Sequence, residues 1–319
     1  MLLIQRDQTN PYFNIAAEEY VLKHFSEDVF MLWQNEPSVI IGKHQNTMAE
    51  VNQQYITLNN IPVVRRISGG GAVFHDLGNI NFTFIKTIIG EDLVDFKRFI
   101  DPIIAVLQKL GVDARQEGHN DIRINGLKCS GNAEHVFKNR VLHHGTILYS
   151  SDLDTLGIAL RSHEERFDSR AVKSRRSPVT NIISHLPSKL SVSEFIERVY
   201  AYQFSIGNDV RYYQFTDKDI AEIQNLADQK YKTWEWNWGY SPAYHYTHRF
   251  GNLICELDIH GGIITQANIY DVVTQDHHTF LESVLKGVKH LQPEIEKVIK
   301  SIYIDDNHVS INDYLNLLL

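Results

Sequence analysis

The segment that decides the fold is Arg65-Arg66-Ile67-Ser68-Gly69-Gly70-Gly71-Ala72-Val73-Phe74-His75-Asp76, which lies between two predicted strands. Its three consecutive glycines carry no side chains, so backbone N–H groups can approach an anion closely and form a concave nest. The two arginines would add fixed charge and forked donors for phosphate or carboxylate oxygens. The segment has neither the Gly-Lys-Ser/Thr of a Walker loop nor the glycine spacing of a dinucleotide fingerprint. The alternative is a glycine-rich turn with solvent-exposed arginines.

Strands and helices are predicted on both sides of this segment. Asn10 and Pro11 predict the start of a helix, because asparagine caps helix N-termini and proline suits the first turn. A second helix should end at Gly111, and a capping box at Ser191 and Glu194 predicts a third. Runs rich in branched and aromatic residues predict strands at 29–33, 38–42, 63–67 and 81–85. The helix that starts at Asn10 should place on one face Phe13, Ala17, Tyr20 and His24.

A predicted hairpin presents the second candidate site segment. Asn125-Gly126 readily adopts the positive dihedral angles of a type I′ turn, and Lys128 follows it on a strand among small residues. A lone lysine there predicts a cation in a confined cleft, where it would stabilise charge as a carboxylate attacks phosphorus. The alternative is an exposed lysine on an edge strand. Cys129 could be an acyl-accepting nucleophile, but strand alternation and its small size favour a core residue.

Together these segments resemble the lipoate-protein ligase family. The blocks that carry the resemblance occur in that family's order and at similar separations, and they span nearly the whole chain. They are Asn10-Pro-Tyr-Phe-Asn14, Arg66 to Asp76 with its continuation Leu77-Gly-Asn-Ile-Asn-Phe-Thr-Phe84, Asn120-Asp121, Lys128-x-Ser130-Gly131-x-Ala133, His143-His144-Gly145-Thr146, Val179-Thr180-Asn181 and Trp234-Glu-Trp-Asn237.

The resemblance implies an α+β fold in which a mixed-sheet catalytic domain of the biotin and lipoate ligase type precedes a small α+β accessory domain. The aromatic-rich stretch 234–242 interrupts the regular pattern, so we expect a catalytic domain at 1–242 and an accessory domain at 243–319. The second domain should contain a hairpin, 253–259 with 263–269, and a helical stretch at 279–302.

The same resemblance implies the residues of the site. Lys128 is the catalytic residue, which contacts both the lipoate carboxyl group and the α-phosphate of ATP. The adenine would lie near Asn120 and Asp121. The complete set implied to bind nucleotide or ligand is Arg66, Gly70, Gly71, Ala72, Val73, Phe74, Asn120, Asp121, Lys128, Gly131 and His144.

The expected activity is ATP-dependent formation of lipoyl-AMP and transfer of the lipoyl group to a lysine. By resemblance, the acceptors are the lipoyl domains of 2-oxoacid dehydrogenase E2 subunits and the glycine cleavage H protein, and octanoate stays open as a second acid. Mg²⁺ should accompany the phosphates without a dedicated metal cage, because the developing negative charge needs further cations. A reactive anhydride needs shielding from water, and the basic stretch 172–178 is the candidate for a mobile covering loop.

Composition excludes several other classes. The formal net charge of −8 argues against a nucleic-acid binder, and no stretch approaches the length of a signal h-region or a membrane span, so we expect a cytoplasmic protein. Two cysteines give neither a zinc pattern nor a disulfide framework. Three functional alternatives remain: an ATP-independent octanoyl or lipoyl transferase of the same fold, a biotin ligase, and a non-catalytic protein that binds an acyl-adenylate or a lipoyl carrier.

Overall fold

The computed structural model describes residues 1–90, 93–161, 163–207, 209–302 and 311–319. Its strands are β1 (Leu2–Gln5), β2 (Val29–Trp33), β3 (Ser38–Ile41), β4 (Val63–Arg65), β5 (Val73–His75), β6 (Asn79–Thr87), β7 (Ala114–Glu117), β8 (Asp121–Ile124), β9 (Leu127–Phe137), β10 (Arg140–Leu148), β11 (Phe167–Ser169), β12 (Arg211–Tyr213), β13 (Tyr244–Phe250), β14 (Leu253–His260) and β15 (Ile263–Asp271). Its α-helices are α1 (Pro11–His24), α2 (Thr47–Glu50), α3 (Gln53–Leu58), α4 (Phe96–Lys109), α5 (Leu153–Ala159), α6 (Val192–Ile206), α7 (Asp217–Leu226), α8 (Thr279–Leu285), α9 (Gln292–Ile302) and α10 (Ile311–Leu318).

The chain forms two compact units. The first consists of residues 1–43, 62–157 and 174–232, and the second of residues 44–61, 158–173 and 233–319. Each unit therefore combines segments that are distant in sequence. The domain assignment of 1–242 and 243–319 stays a prediction.

The first unit is built on an eight-stranded mixed sheet in the order β12-β1-β2-β6-β10-β9-β8-β7. The pairs β12–β1 and β1–β2 are parallel, and the remaining neighbours are antiparallel. A second sheet of three strands, β4-β3-β5, carries the glycine-rich loop between its outer strands. The mixed-sheet α+β class expected from the sequence is confirmed.

Helices α4 and α6 cover one face of the large sheet. Phe99 and Ile103 of α4, together with Phe195 and Val199 of α6, join the same buried apolar cluster as the sheet residue Cys129. Their spacing of four residues places each pair on one side of its helix. Since this face is filled by apolar packing, ligand chemistry belongs to the opposite face of the sheet.

Helix α1 lies on that opposite face, where its Glu18 accepts a hydrogen bond from Thr83 of β6. The Asn10 side chain caps the helix by accepting from the amides of Tyr12 and Phe13, which confirms the predicted start. The prediction that Phe13, Ala17, Tyr20 and His24 share one helical face is confirmed, because their spacing fits the helix and the rings of Tyr20 and His24 stack with centroids 4.7 Å apart. The helix is buried around its whole circumference as far as Leu22, whereas His24 is exposed. This burial brings carboxylates into the interior.

The predicted strands near the glycine-rich segment are confirmed to within two residues at each end. At the Asn125-Gly126 turn, φ is 52° and 78°, as a type I′ hairpin requires. The capping box at Ser191 and Glu194 is present at the start of α6. Helix α4 runs through Pro102 without a break and ends before Gly111, which has φ of 86°.

The second unit centres on a four-stranded antiparallel sheet in the order β11-β13-β14-β15. The predicted hairpin is present as β14 and β15. The single helical stretch predicted at 279–302 is wrong, because α8 and α9 are separated by a turn in which Gly287 adopts φ of 87°. Among the described residues, no helix is long and apolar enough to cross a membrane.

Candidate functional site

Lys128 reaches the open face of the sheet because of a β-bulge. Arg123 of β8 pairs with Lys128, but the next pair is Ile122 with Ser130, so Cys129 is an extra residue in β9. Strict alternation would place Lys128 and Gly131 on opposite faces of β9. The bulge restores them to one face, and a Cβ built on Gly131 would lie 3.0 Å from Lys128 Nζ.

Cys129 points the other way and belongs to the apolar core. Its side chain is fully buried, and that burial raises the pKa of the thiol to about 12. A thiol with such a pKa stays protonated and is a poor nucleophile at neutral pH. The interpretation of Cys129 as a core residue is therefore supported, and the nucleophile interpretation is not.

The alternative interpretation of Lys128 as an exposed lysine on an edge strand is wrong. Strand β9 lies between β10 and β8 inside the sheet, and 27% of the Lys128 side-chain surface is exposed. The ammonium forms an ion pair of 2.7 Å with Asp121, whose second oxygen accepts from Arg123 at 2.8 Å. Two carboxylate oxygens therefore hold two cations beside each other on this face.

The glycine-rich loop is braced from within by Arg66. Its guanidinium donates to the carbonyl oxygens of Gly69 and Gly71 at 2.6 and 2.8 Å and to that of Ile40 at 3.1 Å. Arg66 is 5% exposed and Arg65 is fully buried, with Arg65 donating to the carbonyl oxygens of Gly42 and Lys43. The alternative of solvent-exposed arginines is therefore wrong. The role of Arg66 as a nucleotide ligand stays a prediction.

Two glycines of the loop are required by its geometry. Gly70 adopts φ of +86°, a conformation that glycine adopts without strain. A Cβ on Gly71 would lie 2.8 Å from the hydroxyl of Ser174, which accepts a hydrogen bond from the Ala72 amide at 2.8 Å. Ser174 belongs to the predicted basic loop, so this part of the loop lies against the glycines.

The glycine-rich loop and Lys128 meet on the same face of the sheet. A Cβ on Gly70 would lie 3.8 Å from Cβ of Ala133, and Ala133 is two residues from Gly131, over which the Lys128 ammonium sits. Residues two apart in a strand share a face. The loop and the lysine are far apart in sequence but are adjacent along β9.

The other predicted site residues lie around this point. Asn120 and Asn132 exchange two hydrogen bonds between side chain and backbone, which fixes the start of β8 against β9. Val73 is half-buried and Phe74 is fully buried, where β5 pairs with β3. His144 of β10 pairs directly with Ala133. The structure thus brings all the predicted site residues into the first unit.

Three polar residues of this face were not predicted from the sequence as part of the site: Glu18, Ser68 and Thr83. The Ser68 hydroxyl lies 2.6 Å from Nε2 of His144, whose Nδ1 lies 3.0 Å from both carboxylate oxygens of Glu18. Thr83 donates to the same carboxylate at 2.6 Å. Ser68 lies inside the glycine-rich motif and Thr83 lies inside its continuation to Phe84, so the motif could have indicated both. No local pattern marks Glu18, because its partners come from other elements.

The residues that the structure describes do not form a metal site built from protein side chains alone. They contain no group of three or more His, Cys, Asp or Glu side chains that could hold an ion. Mg²⁺ commonly binds through one or two carboxylates together with substrate phosphates and water. Asp121 is a carboxylate on this face, and its two oxygens contact Lys128 and Arg123.

Family comparisons agree with this geometry. Residues 10–204 match the lipoyl protein ligase A/B catalytic domain, and residues 241–318 match the bacterial lipoate protein ligase C-terminus. The chain therefore belongs to the lipoate-protein ligase family.

Named relatives and solved structures of lipoate-protein ligases are similar to this chain. The chain is 42% identical to lipoate–protein ligase 1 of Staphylococcus aureus over 91% of this chain and 90% of that protein. It is 36% identical to lipoate-protein ligase LplJ of Bacillus subtilis over the full length of both. A lipoate-protein ligase A structure bound with ATP is 27% identical, with a TM-score of 0.65 over 75% of this chain and 98% of that one. A putative lipoate protein ligase from T. acidophilum with bound lipoic acid is 28% identical, with a TM-score of 0.64 over 75% and 98%.

Proposed function

We propose that this chain is an ATP-dependent lipoate-protein ligase that forms lipoyl-AMP and transfers the lipoyl group to a lysine of a lipoyl domain. The observation that carries the proposal is the position of the Lys128 ammonium over Gly131, beside the glycine-rich loop at Ala133. An ammonium and a row of backbone amides on one face can hold the same phosphate from two sides. Related structures with bound ATP and with bound lipoic acid support both ligands.

The first half-reaction joins the acid to AMP. A carboxylate oxygen of lipoate attacks the α-phosphorus, an O–P bond forms, and the bond to pyrophosphate breaks. Negative charge grows on the phosphate oxygens, where Lys128 and the backbone amides of Gly69 to Gly71 would stabilise it. The Lys128 ammonium has three donors and contacts one oxygen of Asp121, so donors remain for the substrate oxygens.

Magnesium is the further cation that we propose for this step. It would supply positive charge to the phosphate groups, and Asp121 is the carboxylate that would hold it. Arg123 holds the second oxygen of Asp121 and so limits how far that carboxylate can turn. Arg123 also donates to Ser177, which links the carboxylate to the predicted basic loop.

The second half-reaction transfers the acyl group. The neutral amine of the acceptor lysine attacks the carbonyl carbon of the anhydride, the C–O bond to AMP breaks, and the amine loses a proton. We propose lipoyl domains of E2 subunits and the H protein as acceptors. A related archaeal ligase was described together with its E2 lipoyl domain, which supports the first of these. Use of octanoate stays open, and a cytoplasmic location stays a prediction.

Pyrophosphate release tests the proposal. Wild-type protein with ATP, magnesium and lipoate should release pyrophosphate, and Lys128→Ala should lower the rate by about a hundredfold or more while remaining folded. Lys97→Ala is the matched control, since Lys97 is an exposed lysine of α4, which packs on the other face of the sheet. Equal rates for the two variants would reject the role of Lys128.

Product analysis separates the alternatives. Mass spectrometry of lipoyl domains incubated with enzyme, ATP and lipoate should show lipoylation that depends on ATP. Transfer from an acylated carrier without pyrophosphate would favour the transferase. Tight binding of the adenylate with no modified acceptor would favour the non-catalytic binding protein.

A further inference from the structure

His75 carries a buried N–H group that the site described above does not use. The side chain is 3% exposed, and its Nε2 has no hydrogen-bond partner among the described residues. A buried donor without an acceptor costs about 1–3 kcal/mol. Such an atom in a binding face calls for a ligand or water that accepts from it.

A chain of hydrogen bonds assigns the proton to Nε2. The Asn14 side-chain atom that faces the carbonyl oxygens of Gln8 and Gln34 must be the nitrogen, because carbonyl oxygens only accept hydrogen bonds. The Asn35 atom that lies 2.8 Å from this donor must therefore be the side-chain oxygen. The Asn35 nitrogen then faces His75 Nδ1 at 3.1 Å. Since an amide nitrogen only donates, Nδ1 accepts, and the proton of the neutral ring sits on Nε2.

Burial, with the nearby charge of Arg66 and of His144, lowers the pKa of His75 to about 3. The ring is therefore neutral at physiological pH, and Nε2–H is a neutral donor. A second amide agrees with this tautomer, because the Asn81 nitrogen lies 3.5 Å from the same Nδ1.

His75 and the lysine that would hold the acid lie near opposite ends of a row of residues across the sheet. A row of neighbouring residues crosses the sheet: the Gly131 amide donates to the Thr146 hydroxyl, Thr146 pairs with Asn81, and Asn81 pairs with Trp33. The Lys128 ammonium lies over the first residue of the row, and His75 meets Asn81 and packs edge-on against Trp33 at 5.9 Å. Two strand spacings, about 10 Å, separate the strands of Gly131 and Asn81. This is comparable to the length of an extended eight-carbon acid.

We infer that His75 Nε2–H donates to a sulfur of the lipoate dithiolane ring and so selects lipoate over the sulfur-free octanoate. The inference rests on the proposed function, because it takes the carboxylate to lie at Lys128. Sulfur is a weak acceptor, and octanoate offers no acceptor at this end. Octanoate therefore leaves the buried donor unpaired, which adds to the difference in affinity between the two acids.

Calorimetric binding of the two acids tests the inference. Wild-type protein should bind lipoate more tightly than octanoate. His75→Leu should reduce that ratio of Kd values by about two- to tenfold, mainly through weaker lipoate binding. His75→Gln, whose amide nitrogen can replace Nε2–H, should keep most of the ratio. An unchanged ratio in the leucine variant overturns the inference. Failure of the wild-type protein to bind either acid contradicts the proposed function instead.

A measurement on the wild-type protein covers the case in which the variants do not fold. Nitrogen NMR of the histidine rings should show His75 protonated at Nε2, with a downfield shift of that proton on adding lipoate but not octanoate. The buried Oδ1 of Asn79 also lacks a partner in the described part of the chain, so one water could join it to His75. Equal shifts with both acids would indicate that water and would overturn the inference, as would a proton on Nδ1.

Discussion

Replacing Gly70 with alanine tests the architecture of the glycine-rich loop. Gly70 has φ of +86°, and the left-handed conformation costs an alanine roughly 1–2 kcal/mol. The new Cβ would also lie 3.0 Å from Nη2 of Arg66, the atom that binds the carbonyl oxygens of Gly69 and Gly71. Weakening one charged hydrogen bond adds about 1.5 kcal/mol or more. We therefore expect Gly70→Ala to lose about 2–4 kcal/mol of unfolding free energy.

Gly69→Ala is the matched control for this variant. Gly69 does not have positive φ, and a Cβ there meets no heavy atom within 4 Å. Its unfolding free energy should stay within about 0.5 kcal/mol of wild type in urea titrations followed by circular dichroism. Pyrophosphate release should fall at least tenfold in Gly70→Ala, because the loop amides lose their alignment. If both variants unfold at the same urea concentration, the bracing of the loop by Arg66 and the backbone strain argument are both refuted.

Two further predictions concern buried side chains. Cys129→Ala should retain pyrophosphate release within about threefold and cost about 1–2 kcal/mol in urea unfolding. Folded wild-type protein should resist maleimide labelling at Cys129, since burial raises the pKa of its thiol to about 12; labelling would be followed by mass spectrometry. His290 joins the Tyr244 hydroxyl to the Leu318 carbonyl, and burial lowers its pKa to about 4. Because the pKa of His290 in the folded protein is below the unfolded value of about 6.5, the neutral ring stabilises the fold above pH 6.5. This stabilisation is lost as pH falls towards 4. His290→Gln should reduce the loss of unfolding free energy between pH 7 and pH 4. If the pH dependence of the unfolding free energy is the same as in wild type, His290 is not its source.

Local sequence predicted the parts of the fold that local chemistry controls. Asn10 with Pro11, the turn at Asn125-Gly126 and the capping box at Ser191 each work through atoms a few residues apart, so the structure agrees with them. The break after α8 could have been read from Gly287, whose φ of 87° ends the helix. Helical periodicity on both sides of that glycine concealed the break.

Contacts between segments that are distant in sequence produce the features of the site that the sequence could not show. The buried acids of α1 have an ordinary helical pattern, and only the fold places the Glu18 carboxylate against His144. The arginines before the glycines are predicted phosphate ligands, and the sequence could not show their other contacts. In the structure, both donate to backbone carbonyl oxygens, a role set by the path of neighbouring loops.

The bulge at Cys129 shows why motif spacing alone does not define this site. The motif fixes Lys128 three residues before Gly131, and an odd separation on a regular strand puts two residues on opposite faces. One unpaired residue in β9 reverses that outcome, so the same three-residue spacing places the ammonium on the face that carries Gly70 and His144. The core position of Cys129 and the position of Lys128 on the opposite face of the sheet are therefore one structural feature. A substitution that removes the bulge should move both side chains together, even if it leaves every motif residue in place.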